Sequence, residues 1–469
     1  MKIGWSKRNI TPVKPVCLQG QFDLRPAEGI RDPLTATALA LETEADCLLY
    51  VSCDLLAPGM HLPQQCRDLL AKRLPEFPVN KLIVGTTHTH TAPYVDEMWH
   101  SIPPDRMTPT DYRELVARQI ADAAAEAWQT RTGGTIAYGS DYAVLAHQRR
   151  TVYFHASPGT PGAPGMCHEK NAAMYGKTDT PEFAGYEGYV DHRVDFLYTF
   201  DASGKWTGVI SALPVPAQAT ESLHDISADY WHEVRQLMAQ RFDPEIALLP
   251  LCTAAGDLSP HLWLQTRAEN RMLKLAGKSL REDLAVRLLA AMERTLAICG
   301  TERFENPTLL HRVETLQLPA RLISATEVET ERRNLAQLEL TAPPDNLYDR
   351  SRHEARIHRC RNVILRYERQ QEGTDRIPQE LHVFRLGELG FVTCPQELFL
   401  DFALEIQAQS PALSTVVVQL AGSGIHGYIP TAKAEAGGSY SACIYCNNIG
   451  SDGGIQLVRR SVELLKILF

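Results

Sequence analysis

An apolar run, Leu82-Ile-Val, leads through Gly85-Thr-Thr into His88-Thr-His90-Thr-Ala-Pro93. A strand alternates its side chains, so a His-x-His at its end sets both imidazoles on one side. They stand where the chain leaves the sheet, the place where α/β proteins bind ligands. Neutral imidazole is a common zinc ligand, and a pair of hydrogen-bonded structural histidines fits the same pattern.

The rest of the chain alternates in the same way. Thr37–Glu42 and Cys47–Leu55 read as paired strands about Glu44-Ala45-Asp46, and His61–Leu74 follows with helical spacing. Thr110–Thr130 is a helix that Thr110 can cap, with Gly133-Gly134 beyond its end. Thr326–Leu340 and Asn346–Gln371 are charged and helical, and read as a hairpin projecting from the body with a solvated face. His382–Thr393 returns to strand character, and Gly453–Leu468 is a closing helix. The predicted class is α/β, with mixed β-sheets, flanking helices and a helical hairpin near 326–371. Ser157–Gly165, rich in Pro and Gly, reads either as part of a lid or as a surface insertion.

Charge narrows the partners. Lys and Arg number 47 against 56 Asp and Glu, a net −9. There is no basic excess or stripe of the kind a nucleic-acid binder carries. No run of roughly 18 apolar residues is present to span a membrane. The opening Met1–Pro12 lacks a signal-type apolar region, which points to the cytoplasm. The 11 cysteines are scattered, mostly in apolar stretches, and read as buried free thiols. Cys443-Ile-Tyr-Cys446 is a lone CxxC and reads as two ordinary thiols.

Two further segments carry chemistry. Thr253-Ala-Ala-Gly-Asp-Leu-Ser-Pro260 follows an apolar strand and can present the Ser259 hydroxyl and backbone N–H groups, or be a plain turn with Asp257 satisfying backbone donors. Glu397 lies between a buried strand and a helical run. A carboxylate there needs a cation, a metal or a helix N-terminus.

In order along nearly the whole chain, these motifs resemble the neutral, non-lysosomal ceramidase family. Thr87–Pro93 is similar to its Thr-His-Thr-His-Ser-Gly-Pro motif, and Gln148-Arg149-Arg150 to an Asn-Arg segment. Gly256-Asp-Leu-Ser-Pro260 resembles Gly-Asp-Val-Ser-Pro, and Val51-Ser-Cys-Asp54 resembles Val-Ser-Ala-Asp. Pro395-Gln-Glu397 and Tyr428-Ile-Pro-Thr431 with Tyr440 complete the series. The resemblance implies a single catalytic domain over 1–469 and one zinc. His88, Glu397 and Tyr428 would be ligands, His90 would handle protons, and Tyr440 would polarise the scissile carbonyl. Arg149 and Ser259 would lie on the substrate side. The implied reaction is amide hydrolysis by metal-activated water.

The chain departs from the family at the second His ligand, where Ser211–Thr220 places Gln218. Glutamine offers zinc only a neutral carbonyl oxygen. Three outcomes follow. Zinc binds more weakly or through His168, His224 or His261; a harder metal is preferred; or the metal is lost and Gln218, Glu397 and Tyr428 hold a polar or sugar-like ligand. The chain is expected to lack an immunoglobulin-like domain after the catalytic part, and no amphipathic, Trp-rich docking segment is evident. The expected substrate is therefore a soluble small molecule rather than ceramide. Homo-oligomerisation is left open.

Overall fold

The computed structural model describes residues 1–97, 99–154 and 171–469. Strands β1 (Lys2–Asn9), β2 (Thr35–Glu42), β3 (Cys47–Cys53), β4 (Leu82–Thr86), β5 (Thr132–Tyr142), β6 (Arg193–Asp201), β7 (Trp206–Leu213) and β8 (Ala247–Cys252) form one sheet. Their order is β8-β7-β6-β5-β1-β2-β3-β4. The pairs β3–β4 and β7–β8 are parallel, and the others antiparallel. A second sheet runs β9 (Leu309–Pro319), β10 (Arg376–Leu386), β11 (Leu389–Cys394) and β12 (Ser414–Gln419), with β11–β12 parallel.

The period-2 pattern decides what each face meets. In β2, Leu39 and Leu41 point into a core shared by the two sheets, while Ala36, Ala38 and Ala40 face helices. The small alanines let helix Pro109–Gln129 lie close. The inter-sheet core joins Leu39, Tyr50, Ile83 and Leu249 to Phe384, Phe391 and Val416, with Phe384 and Phe391 stacked at 4.5 Å. Helices Leu62–Arg73, Pro109–Gln129, Tyr230–Arg241 and Leu280–Cys299 cover the outside of the large sheet. Leu400–Gln409 and Ser451–Leu468 cover the small one. The result is a helix–sheet–sheet–helix arrangement of the predicted mixed α/β class.

Three expectations change in detail. The cap of helix Pro109–Gln129 is Thr108, whose side chain accepts from Asp111 N, and not Thr110. His382–Thr393 is two strands, because Gly387 (φ 63°) turns the chain between β10 and β11. The hairpin helices, Ala325–Leu340 and Leu347–Gln371, lie back on the body instead of projecting. Arg359 is buried with its guanidinium 4.2 Å from the Phe22 ring, and Val328 and Val363 share a small core with Ile323 and Ile444. The charged heads ride on aromatic and backbone groups while their stems pack. The Ser157–Gly165 loop lies outside the described residues. Every cysteine among the described residues is a free thiol, and Cys443 and Cys446 stand 3.5 Å apart, Sγ to Sγ.

A buried polar chain fixes β4 between the layers. Arg67, on helix Leu62–Arg73, grips both oxygens of Glu380 at 2.6 Å and donates to Leu82 O at 2.9 Å. His382 bonds Glu380, and His311 Nε2 meets His382 Nδ1 at 2.9 Å. Burial works against the Glu380 carboxylate, but His382 and Arg67 outweigh it and bring its pKa down to about 2. A depressed carboxylate contributes stability above its unfolded pKa near 4.5 and loses it as pH falls toward 2. Glu380→Gln, which strands the buried Arg67 charge, should cost about 3–5 kcal/mol at neutral pH. In urea titrations the gap from the native chain should narrow between pH 4.5 and 2. A gap that does not depend on pH would exclude this ion pair as its source.

Candidate functional site

The ends of the parallel strands converge. At the end of β4, Thr86 N donates to Leu420 O beyond β12 (3.1 Å), and Ala217 N beyond β7 donates to Thr87 O (3.2 Å). Beyond β8, Ala254 N donates to Val417 O (3.0 Å). Segments far apart in sequence thus share one end of the sheets.

His88 takes a left-handed backbone conformation (φ 62°), rare for a residue with a Cβ. Its Nδ1 donates to Leu56 O at 2.8 Å. Its Nε2 faces Glu397 Oε2 at 3.2 Å and His90 Nε2 at 3.3 Å. Burial disfavours the Glu397 carboxylate, but His88, His426 and Arg149 outweigh it and keep the group ionised. The helix N-terminus at Leu400 does not serve Glu397. Leu400 N donates instead to Asp257 Oδ1 (3.0 Å), so Asp257 is the structural carboxylate of its turn.

His90 lies under Gly20, whose φ of +115° and missing Cβ let the loop approach; a Cβ there would stand 2.7 Å from the ring. Gln218 Nε2 is 2.5 Å from His90 Nε2. An amide donor on Nε2 leaves the proton on Nδ1, which faces Glu221 Oε2 at 3.6 Å. Burial, aided by His88, Arg25 and Arg149, holds the His90 imidazole well below its usual range, so the ring is neutral.

The Gln148-Arg149-Arg150 motif divides its work. Gln148 Nε2 donates to Asp257 Oδ2 (2.8 Å). Arg149 enters the site: its Nη2 donates to Gly256 O (2.8 Å), reaches Tyr428 Oη (3.5 Å) and lies 3.8 Å from Glu397 Oε2. Burial opposes its charge, but Tyr428, Tyr175 and Glu397 more than compensate. Arg150 pairs with Glu187 (2.5 and 3.0 Å) and donates to Tyr440 O and Gly438 O (both 2.9 Å). It thereby holds the loop of Ser439 and Ser441, both left-handed, that carries Tyr440. Tyr440 Oη stands 3.5 Å from Tyr428 Oη, and burial keeps both phenols protonated.

Of the residues singled out in the sequence, His88, His90, Glu397, Arg149, Tyr428, Tyr440 and Gln218 come together. Ser259 sits at the rim, where Tyr175 Oη donates to its Oγ (3.2 Å) and links it to Arg149. Gln218 departs from the ligand expectation, because its amide is engaged with His90. His224 does not replace it: the ring is exposed beside Glu28. His261 Nε2 bonds Gln218 O (2.9 Å) at the rim. His168 lies outside the described residues. Sequence reasoning missed Glu221, Tyr175 and Phe22. Glu221, a lone carboxylate three residues past Gln218, was the one available signal. Phe22 packs edge-on against Tyr440 at 5.1 Å.

Among the described residues no group of three or more His, Cys, Asp or Glu side chains is placed to hold a metal ion. The pair His88–Glu397 still has the features of a cation site. Its imidazole is oriented by a carbonyl, as metal-bound histidines are. His88 Nε2 and the Glu397 carboxylate meet, and Gln218 Oε1 is buried without a partner. A divalent cation placed there would have one imidazole, one carboxylate and the Tyr428 phenol to hold it.

The chain has the fold of neutral ceramidase. It matches the crystal structure of neutral ceramidase from Pseudomonas aeruginosa with a TM-score of 0.68 and 18% identity, over 100% of this chain and 75% of that one. A ceramidase complexed with C2 matches with a TM-score of 0.67 and 16% identity, over 100% and 75%. No protein-family model matches the chain, and no curated protein matches it in sequence.

Arg150→Lys tests the scaffold. A lysine ammonium lacks the planar fork. It would leave Glu187 and the carbonyls of the Tyr440 loop short of donors, with a loss of about 2–4 kcal/mol in urea denaturation. A loss within 0.5 kcal/mol, the range of an ordinary surface change, would remove Arg150 from this role.

Proposed function

We propose that this chain is a metal-assisted hydrolase of an amide or related bond in a small molecule. The observation that carries the reading is the His88–Glu397 pair. Its Nε2 and carboxylate face each other at 3.2 Å, with Nδ1 held by Leu56 O. The shared fold with neutral ceramidase supports it.

His88, Glu397 and Tyr428 would hold the cation. When bound, a divalent cation supplies Lewis acidity and makes water a nucleophile near neutral pH. The chain's own residues do the rest. Neutral His90 would be the proton carrier once the Gln218 amide, 2.5 Å away, turns aside: its Nε2 would then accept a proton from the attacking water and return it to the leaving nitrogen. Glu221 faces the other ring nitrogen at 3.6 Å. Tyr440, kept protonated, donates toward the scissile carbonyl oxygen as charge develops there. Arg149 adds fixed positive charge beside Glu397 and Tyr428 and stays protonated throughout. The substrate is expected to be a small molecule with an amide or related bond.

A second reading has a specific observation behind it. Gln218 is committed to His90, and Arg149 already lies near Glu397. A metal-free pocket for a polar or sugar-like ligand would look the same. Elemental analysis after dialysis, with a panel of aryl amides and esters, separates the two. The hydrolase reading expects stoichiometric divalent metal, lost in Glu397→Gln. It also expects His90→Ala to keep the metal and lose roughly 10²-fold or more in kcat. Metal-free protein that gains neither activity nor thermal stability from zinc or manganese would decide for the polar pocket.

A further inference from the structure

We propose that Cys443 and Cys446 are a redox site, closing into a disulfide that locks the loop of Tyr440. In the sequence they read as a lone CxxC and two ordinary thiols. The fold supplies a reason to pair them. Their Sγ atoms stand 3.5 Å apart. Cys446 N donates to Cys443 O (2.9 Å), which closes a four-residue turn. Such a turn brings its end Cα atoms within about 7 Å, and a disulfide spans about 4.4–6.8 Å. Side-chain rotation then closes the sulfurs to about 2 Å.

The backbone around the pair is already held in place. Arg366 donates to Ile444 O (2.5 Å) and Asn447 O (2.7 Å), and Arg321 donates to Ala442 O (2.8 Å). Asn447 Nδ2 donates to Ser441 O (2.9 Å) and Tyr428 O (3.2 Å), and Tyr428 N donates to Cys446 O (3.0 Å). The pair is thus bonded to the segment of Tyr428 and follows Tyr440 by three residues. That loop is strained, with Ser439 (φ 70°) and Ser441 (φ 69°) both left-handed. Strain of this kind persists only where the surroundings over-determine the backbone. Arg150 grips the start of the loop through Gly438 O and Tyr440 O. A crosslink between 443 and 446 would grip its other end.

The two sulfurs differ in access: Cys446 is half-buried and Cys443 is buried. A cavity of ≈ 180 Å³ lies beside Tyr445, with Arg356 and Arg359 on its wall. Those cations favour an anionic reagent, which makes a small disulfide bearing carboxylates, such as glutathione disulfide, the fitting co-reactant. Cys360 on the same wall is engaged elsewhere, because its thiol donates to Glu331 Oε2 (3.2 Å). Cys446, as thiolate, attacks one sulfur of the reagent; the reagent's S–S bond breaks and one thiolate leaves. Cys443 then gives up its proton and attacks the Cys446 sulfur, and the second thiolate leaves. The leaving thiolates take up the protons the cysteines lost, so one disulfide is reduced as the other forms. Burial and the neighbouring Cys443 hold the Cys446 thiol above its ordinary range. Exchange is therefore slow and follows the standing redox poise instead of a brief pulse. The inference does not depend on the hydrolytic reading.

The test equilibrates the native full chain overnight in excess glutathione disulfide and, separately, in excess reduced glutathione. Acid quenching, alkylation under denaturing conditions and peptide mass spectrometry follow. In the oxidised arm the peptide holding 443 and 446 is expected two hydrogens lighter and without alkyl groups, and dithiothreitol should restore both thiols. Thermal unfolding of the oxidised chain should rise by about 2–4 °C, the effect of so small a ring in a chain this long. Hydrogen exchange at 439–447 should slow. Cys443→Ser should stop at a mixed disulfide of Cys446 with glutathione, and Cys446→Ser should leave Cys443 unmodified. Two alkylated thiols in the oxidised arm would overturn the proposal, as would a crosslink from either residue to a different cysteine. So would a 443–446 disulfide that leaves both the unfolding temperature and the exchange at 439–447 unchanged.

Discussion

One electrostatic constraint governs the centre of this molecule: Glu397 is a buried carboxylate that must stay ionised. Isolated in a protein interior, such a group would take up a proton. Here Arg149 lies 3.8 Å away and His88 3.2 Å. Arg149 is itself buried, and its charge is sustained by the same carboxylate and by the phenols of Tyr428 and Tyr175. Each charge is the condition for the other. The pair can exist only if the segments bearing residues 88, 149, 397 and 428 are held together, and this ties the site to the convergence of the parallel strand ends.

That convergence is maintained by groups that never touch a reacting atom. Arg150, next to Arg149, satisfies carbonyls of the Tyr440 loop. Gln419 Oε1 accepts from both Ala255 N and Leu398 N, joining the turn after β8 to the segment of Glu397. Backbone strain gathers in the same place, with left-handed His88, Tyr175, Leu420, Ser439 and Ser441. Each such residue costs on the order of 1–3 kcal/mol and persists only where the surroundings over-determine it. Arg67 and Glu380 perform the same office one layer down, at the start of β4.

How much of this could be read from the sequence follows from the range of each interaction. His88 and His90 were legible because strand geometry alone puts them on one side. Helices Pro109–Gln129 and Leu347–Gln371 were legible from local periodicity, the second to within one residue at its start. The turn at Gly387 was not, because apolar strands on both sides hide it. The docking of the second hairpin helix was also invisible. Arg359 reads as a solvent residue until Phe22, more than 300 positions earlier, is placed beneath it. Tyr175 and Glu221 gain meaning only from tertiary neighbours. The Gln148-Arg149-Arg150 motif marked a functional stretch without saying that only its middle residue faces the site.

Gln218 sets the polarity on one side of the site. Its amide donates from nitrogen and accepts at oxygen. In this structure the donor is engaged by His90, which fixes the tautomer of that ring and leaves its Nδ1 toward Glu221. The acceptor, Gln218 Oε1, is left buried and unpartnered. Burial holds the Glu221 carboxyl above its ordinary range, against the pull of His261, Arg149 and Arg25. The Gln218 side chain therefore spends its donor on His90 and keeps its acceptor oxygen free within the buried pocket.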